Sequence, residues 1–292
     1  MRQGASLRSS TKHRTKRKRT APSRRKRLRP AAVRRRAWAR RFRALPGALQ
    51  IMLGLAAAVL LLAILNWIYQ VARKPSELLF PVSGVLYKSP AETWRTYGPL
   101  FRMHSTAIMT PELLAALAQT EGSGNPVART YWRWRMSSRP FDLYRPASSA
   151  VGMYQITNGT FGIARRYCIH GHRVVADGPW DDFHSCWFNA LYTRTLPSDA
   201  VELTSAYLTK AVGDILLRNG RRTPRLEQQR QLAVLIHLCG AGAGELYARR
   251  GLHLAPGQRC GDHSARDYLE RVLAMQRTFV SIARRNPSAA GV

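Results

Sequence analysis

Residues 109–126 read MTPELLAALAQTEGSGNP, and the carboxylate near the end of this stretch organises the chain. Thr110 is a good N-cap residue and Pro111 suits the first helical position. Leu113, Leu117 and Glu121 then recur every four residues, with Leu114 and Ala118 beside them, which is one face of a helix. Gly122 and Gly124 stop that helix just beyond it. A carboxylate therefore closes the stripe expected to face a core. Burial disfavours the charged form of such a group, and a carboxyl that keeps its proton near neutral pH can protonate a leaving oxygen. On this spacing Glu121 is the candidate general acid. A helix-end glutamate with its head in water is the alternative.

Charge is distributed very unevenly around this stretch. The chain of 292 residues carries 47 Lys/Arg against 16 Asp/Glu, a net charge of +31. Residues 1–46 hold 19 of the basic residues and no acidic one, so the rest is 28 against 16, a net +12. A segment so basic and so poor in apolar residues is expected to stay disordered. Its runs at 16–19, 24–27 and 34–36 would attract anionic lipid, or nucleic acid without sequence preference. The preferred reading is a solvated cytoplasmic tail that sets membrane orientation, with anionic lipid as its partner rather than nucleic acid.

That reading rests on residues 47–71, GALQIMLGLAAAVLLLAILNWIYQV, which carry no charge. The length is enough to cross a bilayer with some tilt, and Trp67 and Tyr69 lie where interfacial aromatics belong. With the basic excess before the segment, the positive-inside rule keeps the N-terminus in the cytoplasm and exports the C-terminal part of the chain. A cleaved signal peptide fits less well, because the apolar and basic regions are both too long for one.

Residues 72–88, with Pro75, Pro81 and Gly84, read as a linker. The folded domain is expected over 89–284, with a loose tail at 285–292. Ser89, Pro90 and Glu92 form a capping box with proline at the first helical position. The next helix bears Trp94, Leu100 and Phe101, and Gly98-Pro99 is expected to bend or break it. Residues 125–150 are the least regular part and contain Tyr131-Trp132-Arg133-Trp134-Arg135. This segment would stack on sugars or reach an anionic chain; a packed loop covered by Arg stems is the alternative. Residues 168–189 read as loops. Val201, Leu208, Val212, Ile215 and Leu216 share a helix face, 226–238 reads as a central helix, and 267–282 as a final amphipathic one. No long strand pattern is present, so the domain is expected to be mainly α.

Cys168, Cys186, Cys239 and Cys260 all lie beyond the apolar segment and include no C-x-x-C pair. On an oxidising side an even count suits disulfides. The expected pairing is the sequence-adjacent one of three, Cys168 with Cys186 and Cys239 with Cys260. Four buried thiols are the alternative. No His/Cys/Asp spacing suits a metal, and neither a metal nor a cofactor is expected.

Four landmarks occur in order: Glu121 with Gly-Ser-Gly-Asn-Pro, then 152–156 GMYQI, then 238–244 LCGAGAG, then 267–273 DYLERVL. Together, over about residues 90–283, they resemble the lytic transglycosylase domain of the soluble lytic transglycosylase type, a lysozyme-like α fold. The resemblance implies cleavage of the β-1,4 bond between N-acetylmuramic acid and N-acetylglucosamine in peptidoglycan, with Glu121 as the single acid and base and 1,6-anhydro ends as product. It implies that Gln155 and Tyr268 line the substrate cleft, with the Tyr268 hydroxyl approaching Glu121. Tyr154 and Ser123 fall inside the same motifs as further substrate-binding candidates. His237, beside the third motif, reads as an ordinary core histidine.

The chain departs from the family pattern at several positions. Gly122 replaces a serine, Tyr154 a methionine and Cys239-Gly240 a Tyr-Asn pair, and the gap between the first two motifs is long. The sequence therefore leads to a peptidoglycan lytic enzyme anchored by residues 47–71 in a bacterial inner membrane, with its catalytic domain in the periplasm. A muramidase-type hydrolase on the same cleft, a catalytically weak wall-binding scaffold and a nucleic-acid-binding membrane protein are the competing readings.

Overall fold

The computed structural model describes residues 38–179, 181–182, 184–220 and 224–285. The expected disorder of residues 1–37 and most of the expected loose tail, 286–292, lie outside the described residues. The chain divides after Leu62 into two compact units. In the first, residues 38–43 are helical although the basic tail was expected to be disordered to residue 46. Trp38 and Phe42, one turn apart, stack with ring centroids 5.6 Å apart, an apolar contact that supports this turn of helix. Helix α1, Gly47–Arg73, then begins, and it is the one described helix long and apolar enough to cross a membrane.

Within the second unit the protein is mainly helical. Residues 72–88, expected as a linker, instead form three short helical segments, Pro75–Leu79, Phe80–Ser83 and Gly84–Leu86. They are tied to the body because Glu77 is fully buried and because Asn125 donates a 2.6 Å hydrogen bond to the Ser83 carbonyl. Helix α2, Pro90–Met103, starts with the expected capping box on Ser89 and Glu92. It runs through Pro99 unbroken, held by the buried Trp94, Tyr97 and Phe101. Helix α3, Pro111–Gly122, is capped by Thr110. Its Leu113, Leu114 and Leu117 are completely buried, each contributing about 1.5–3 kcal/mol by leaving water.

Between α3 and the next helix runs a short antiparallel hairpin, β1 (Trp132–Trp134) and β2 (Tyr144–Pro146). After α4 (Asn158–Ala164) the segment read as loop contains a second hairpin, β3 (Tyr167–His170) and β4 (Arg173–Ala176). The Cys168–Cys186 disulfide, with Cα atoms 5.7 Å apart, fastens it. Alternation over only four residues is too short a signal to distinguish such a ladder from a loop.

Helices α5 (Pro197–Arg218), α6 (Leu226–Cys239) and α7 (Ala241–Arg249) come next, then the small pair β5 (Arg259–Cys260) and β6 (His263–Ser264), then α8 (Ala265–Arg285). The second disulfide, Cys239–Cys260, joins the end of α6 to β5, just before the helix that bears Tyr268. Helix α8 packs along α3, α2 and α6 around one continuous core that includes Leu232, Leu235, Val272 and Phe279.

Candidate active site

Three helices bring the site together. Glu121 lies in the last turn of α3, His237 in the last turn of α6 and Tyr268 in the first turn of α8. The Tyr268 hydroxyl donates a short hydrogen bond to Glu121 Oε1, across 147 residues of chain. His237 Nε2 stands 3.8 Å from the same oxygen. The Glu121 side chain keeps 19 % of its surface exposed, enough for a ligand to reach it.

Electrostatics assign each partner a protonation state. Burial, then the Glu121 charge and the hydrogen bond to it, push the Tyr268 hydroxyl well above its ordinary value, against a smaller opposing pull from Arg271. Tyr268 therefore stays protonated and acts as a donor. Burial pulls His237 below the usual histidine value, although Glu121 and a backbone hydrogen bond with Tyr154 oppose it. The ring is neutral near pH 7, so Glu121 faces a hydroxyl and a neutral imidazole rather than a cation.

The second motif is folded against the end of α3. Ser123 takes the left-handed cap position with φ 48°, and its carbonyl accepts from the Lys88 amide at 2.8 Å. Gly122 has no room for a side chain. A Cβ there would lie 2.8 Å from Met153 Cα and 3.0 Å from the Met153 carbonyl oxygen. The departure from serine thus has a local physical cause: the backbone of the second motif lies directly on Gly122.

Gln155 also has a positive φ, 48°, and its amide nitrogen donates to the carbonyls of Gly152 at 2.9 Å and Ala128 at 3.1 Å. These bonds orient the amide in its turn. Gln155 lines a groove of about 210 Å³ together with Thr157, Thr160, Tyr207, His237 and Gly240. His237 links this groove to Glu121. Tyr154 is completely buried and its hydroxyl has no partner, so it presents no surface to a ligand in this conformation.

Glu121 and Tyr268 do not line the groove of Gln155, and neither they nor His237 line the cavities of about 260, 410, 530 and 880 Å³. Other carboxylates are engaged elsewhere. Asp142 pairs with Arg73 and Arg145 at 3.5 and 3.4 Å, and Asp181 is exposed. Glu202, missed in the sequence, is buried and accepts from the Tyr192 hydroxyl and the Ile169 amide, each at 2.8 Å, with His104 3.6 Å away. Among the described residues no group of three His, Cys, Asp or Glu side chains is placed to hold a metal ion.

The placement of His237 was also not foreseen. Its adjacency to the third motif was the available signal, but an apolar helix gives no reason to read a lone histidine as anything but core. Compared with protein-family models and with curated proteins, the chain matches none.

Proposed function

We propose that this protein is a membrane-anchored, peptidoglycan-cleaving lytic transglycosylase with a lysozyme-like domain, and that Glu121 is its single acid and base. The observation that carries the reading is the hydrogen bond from Tyr268 to Glu121, which joins the first and last of the four motifs. Gln155 and His237 on one groove support it.

The chemistry proceeds in two proton transfers. Protonated Glu121 donates to the glycosidic oxygen as its bond to the muramoyl C1 breaks, freeing the 4-hydroxyl of the leaving sugar. The carboxylate then takes the proton from the muramoyl 6-hydroxyl as that oxygen bonds to C1, closing the 1,6-anhydro ring and restoring the acid. Tyr268 holds the carboxylate in place in both states. Two-carboxylate glycosidases need a second Asp or Glu at a set distance; of the candidates, Asp142 is paired with Arg73 and Arg145 and Asp181 is exposed.

The uncharged residues 47–71 of α1, after a strongly basic segment, support export of the domain by the positive-inside rule. Two disulfides suit an oxidising compartment. The test is mass analysis of muropeptides released from purified sacculi by the full-length protein. Anhydro products, lighter by one water than hydrolytic ones, are expected from wild type and absent with Glu121→Gln. Hydrated ends would instead mark a muramidase. No release by either protein, with sacculi still bound, would mark a scaffold.

A further inference from the structure

The last two turns of α1 are wrapped by the β1–β2 hairpin. Asn66 Nδ2 donates to the Tyr144 carbonyl at 2.9 Å, and Gln70 Nε2 to the Phe141 carbonyl at 2.6 Å. Tyr69 stacks on Phe141 with centroids 5.1 Å apart. From beneath, buried Glu77 holds the hairpin through Trp132 Nε1 at 2.9 Å and Arg129 at 3.2 Å. The hairpin is therefore fixed to the helix end rather than trailing from the domain.

Large apolar side chains in and beside β1 are uncovered. Tyr131 is 66 % exposed, Trp134 76 % and Met136 96 %. Tyr131 and Trp132 line a cavity of about 880 Å³ together with Trp67, on the helix itself, and Tyr87. Exposed arginines, Arg133, Arg135 and Arg139, alternate with these side chains. A neighbouring groove of about 530 Å³ is lined by Arg73, Lys74, Arg145 and Arg194. About 20 apolar residues cross the hydrocarbon core, and counted from Gly47 that length ends near Asn66, where the hairpin attaches.

We infer that the β1–β2 hairpin is an interfacial anchor that seats Tyr131, Trp134 and Met136 among the headgroups of the membrane crossed by α1, with its arginines on anionic phospholipid. This rests on the membrane-spanning reading of α1. Exposed Trp and Tyr with interleaved Arg match the polarity gradient at a bilayer surface. Exposed aromatics beside Trp67 and the end of α1 identify lipid, rather than glycan, as the occupant. The anchor sets how far from the membrane the groove of Gln155 and His237 can work.

The test places the full-length protein in nanodiscs of phosphatidylcholine and phosphatidylglycerol containing a lipid with a diazirine high on its acyl chain. Crosslinked peptides are then mapped by mass spectrometry. Adducts are expected on residues 47–66 and on 131–136, with about tenfold more on the latter than on the exposed Leu217. Removing phosphatidylglycerol should reduce the hairpin adducts, and Tyr131→Ser/Trp134→Ser should abolish them while leaving those on α1. Labelled α1 with an unlabelled hairpin overturns the anchor alone, whereas no label on either overturns the membrane span as well. An unlabelled hairpin whose double variant loses sacculus binding would identify it as a glycan surface.

Discussion

The second unit contains two carboxylates drawn away from solvent in opposite settings. Glu77, near the end of α1, is fully buried and surrounded by Lys74 at 3.1 Å, Arg129 at 3.2 Å and Trp132 Nε1 at 2.9 Å. Glu121, at the end of α3, keeps part of its surface open and has Tyr268 and neutral His237 as neighbours. The first carboxylate is compensated by two cations and serves as a clamp between residues 72–88 and the hairpin. The second accepts from a hydroxyl and faces a neutral imidazole, with no cation among these two neighbours. Residue type does not separate the two settings; the charge of the partners does.

The largest expected contrast comes from removing each carboxylate in turn. Glu121→Gln should cost about 10²–10⁴-fold in muropeptide release, the usual contribution of general acid–base catalysis, while leaving the unfolding midpoint nearly unchanged. Glu77→Ala should do the reverse, costing about 3–5 kcal/mol of stability because it removes the buried partner that Lys74 and Arg129 share. Denaturant unfolding of both variants checks this, and comparable destabilisation by the two would erase the distinction.

A smaller effect is expected at the tyrosine. Tyr268→Phe removes the hydrogen bond to the Glu121 carboxyl, worth about 1–3 kcal/mol, or about five- to hundred-fold in rate if it is fully used in the transition state. Turnover at saturating sacculus concentration measures it. A rate within twofold of wild type would make Tyr268 a packing residue.

Gly122→Ser restores the residue of the resembled family, yet it should harm this chain. The new Cβ would press on Met153 Cα, 2.8 Å away, at a cost of about 1–3 kcal/mol. A lowered unfolding midpoint with no gain in activity is the expected result.

The mildest effect is on pH dependence. His237 and His104 both have folded-state values below the ordinary 6.5 because burial disfavours their cations. Above that pH both rings are neutral whether folded or unfolded, and stability is unaffected. Below it the unfolded chain takes up protons that the folded chain refuses, so stability falls as pH drops toward the folded values. His237→Gln should flatten part of this decline in thermal unfolding between pH 6.5 and 5, with His104 responsible for the remainder.

Much was determined by local chemistry and hence legible in the sequence. Ser89 and Thr110 cap their helices because their side chains reach orphan amides within one turn. The apolar run after Gly47 is uncharged over a membrane's length, and Glu121 terminates its stripe through a four-residue spacing. The adjacent cysteine pairing is also the one observed, with the 168–186 and 239–260 bridges closing short loops.

Other features exist only because distant segments meet. Glu77 becomes buried when Trp132 and Arg129 fold over it, which ties the short helix Pro75–Leu79 to the hairpin. Tyr154 is carried into the core, and His237 is brought to Glu121 from 116 residues away along the chain. The need for glycine at 122 appears only once Met153 lies against it. Capping, periodicity and hydropathy act within a few residues and are written locally. Burial and the charge of a neighbour depend on which surfaces the whole chain brings together, and only tertiary packing decides them.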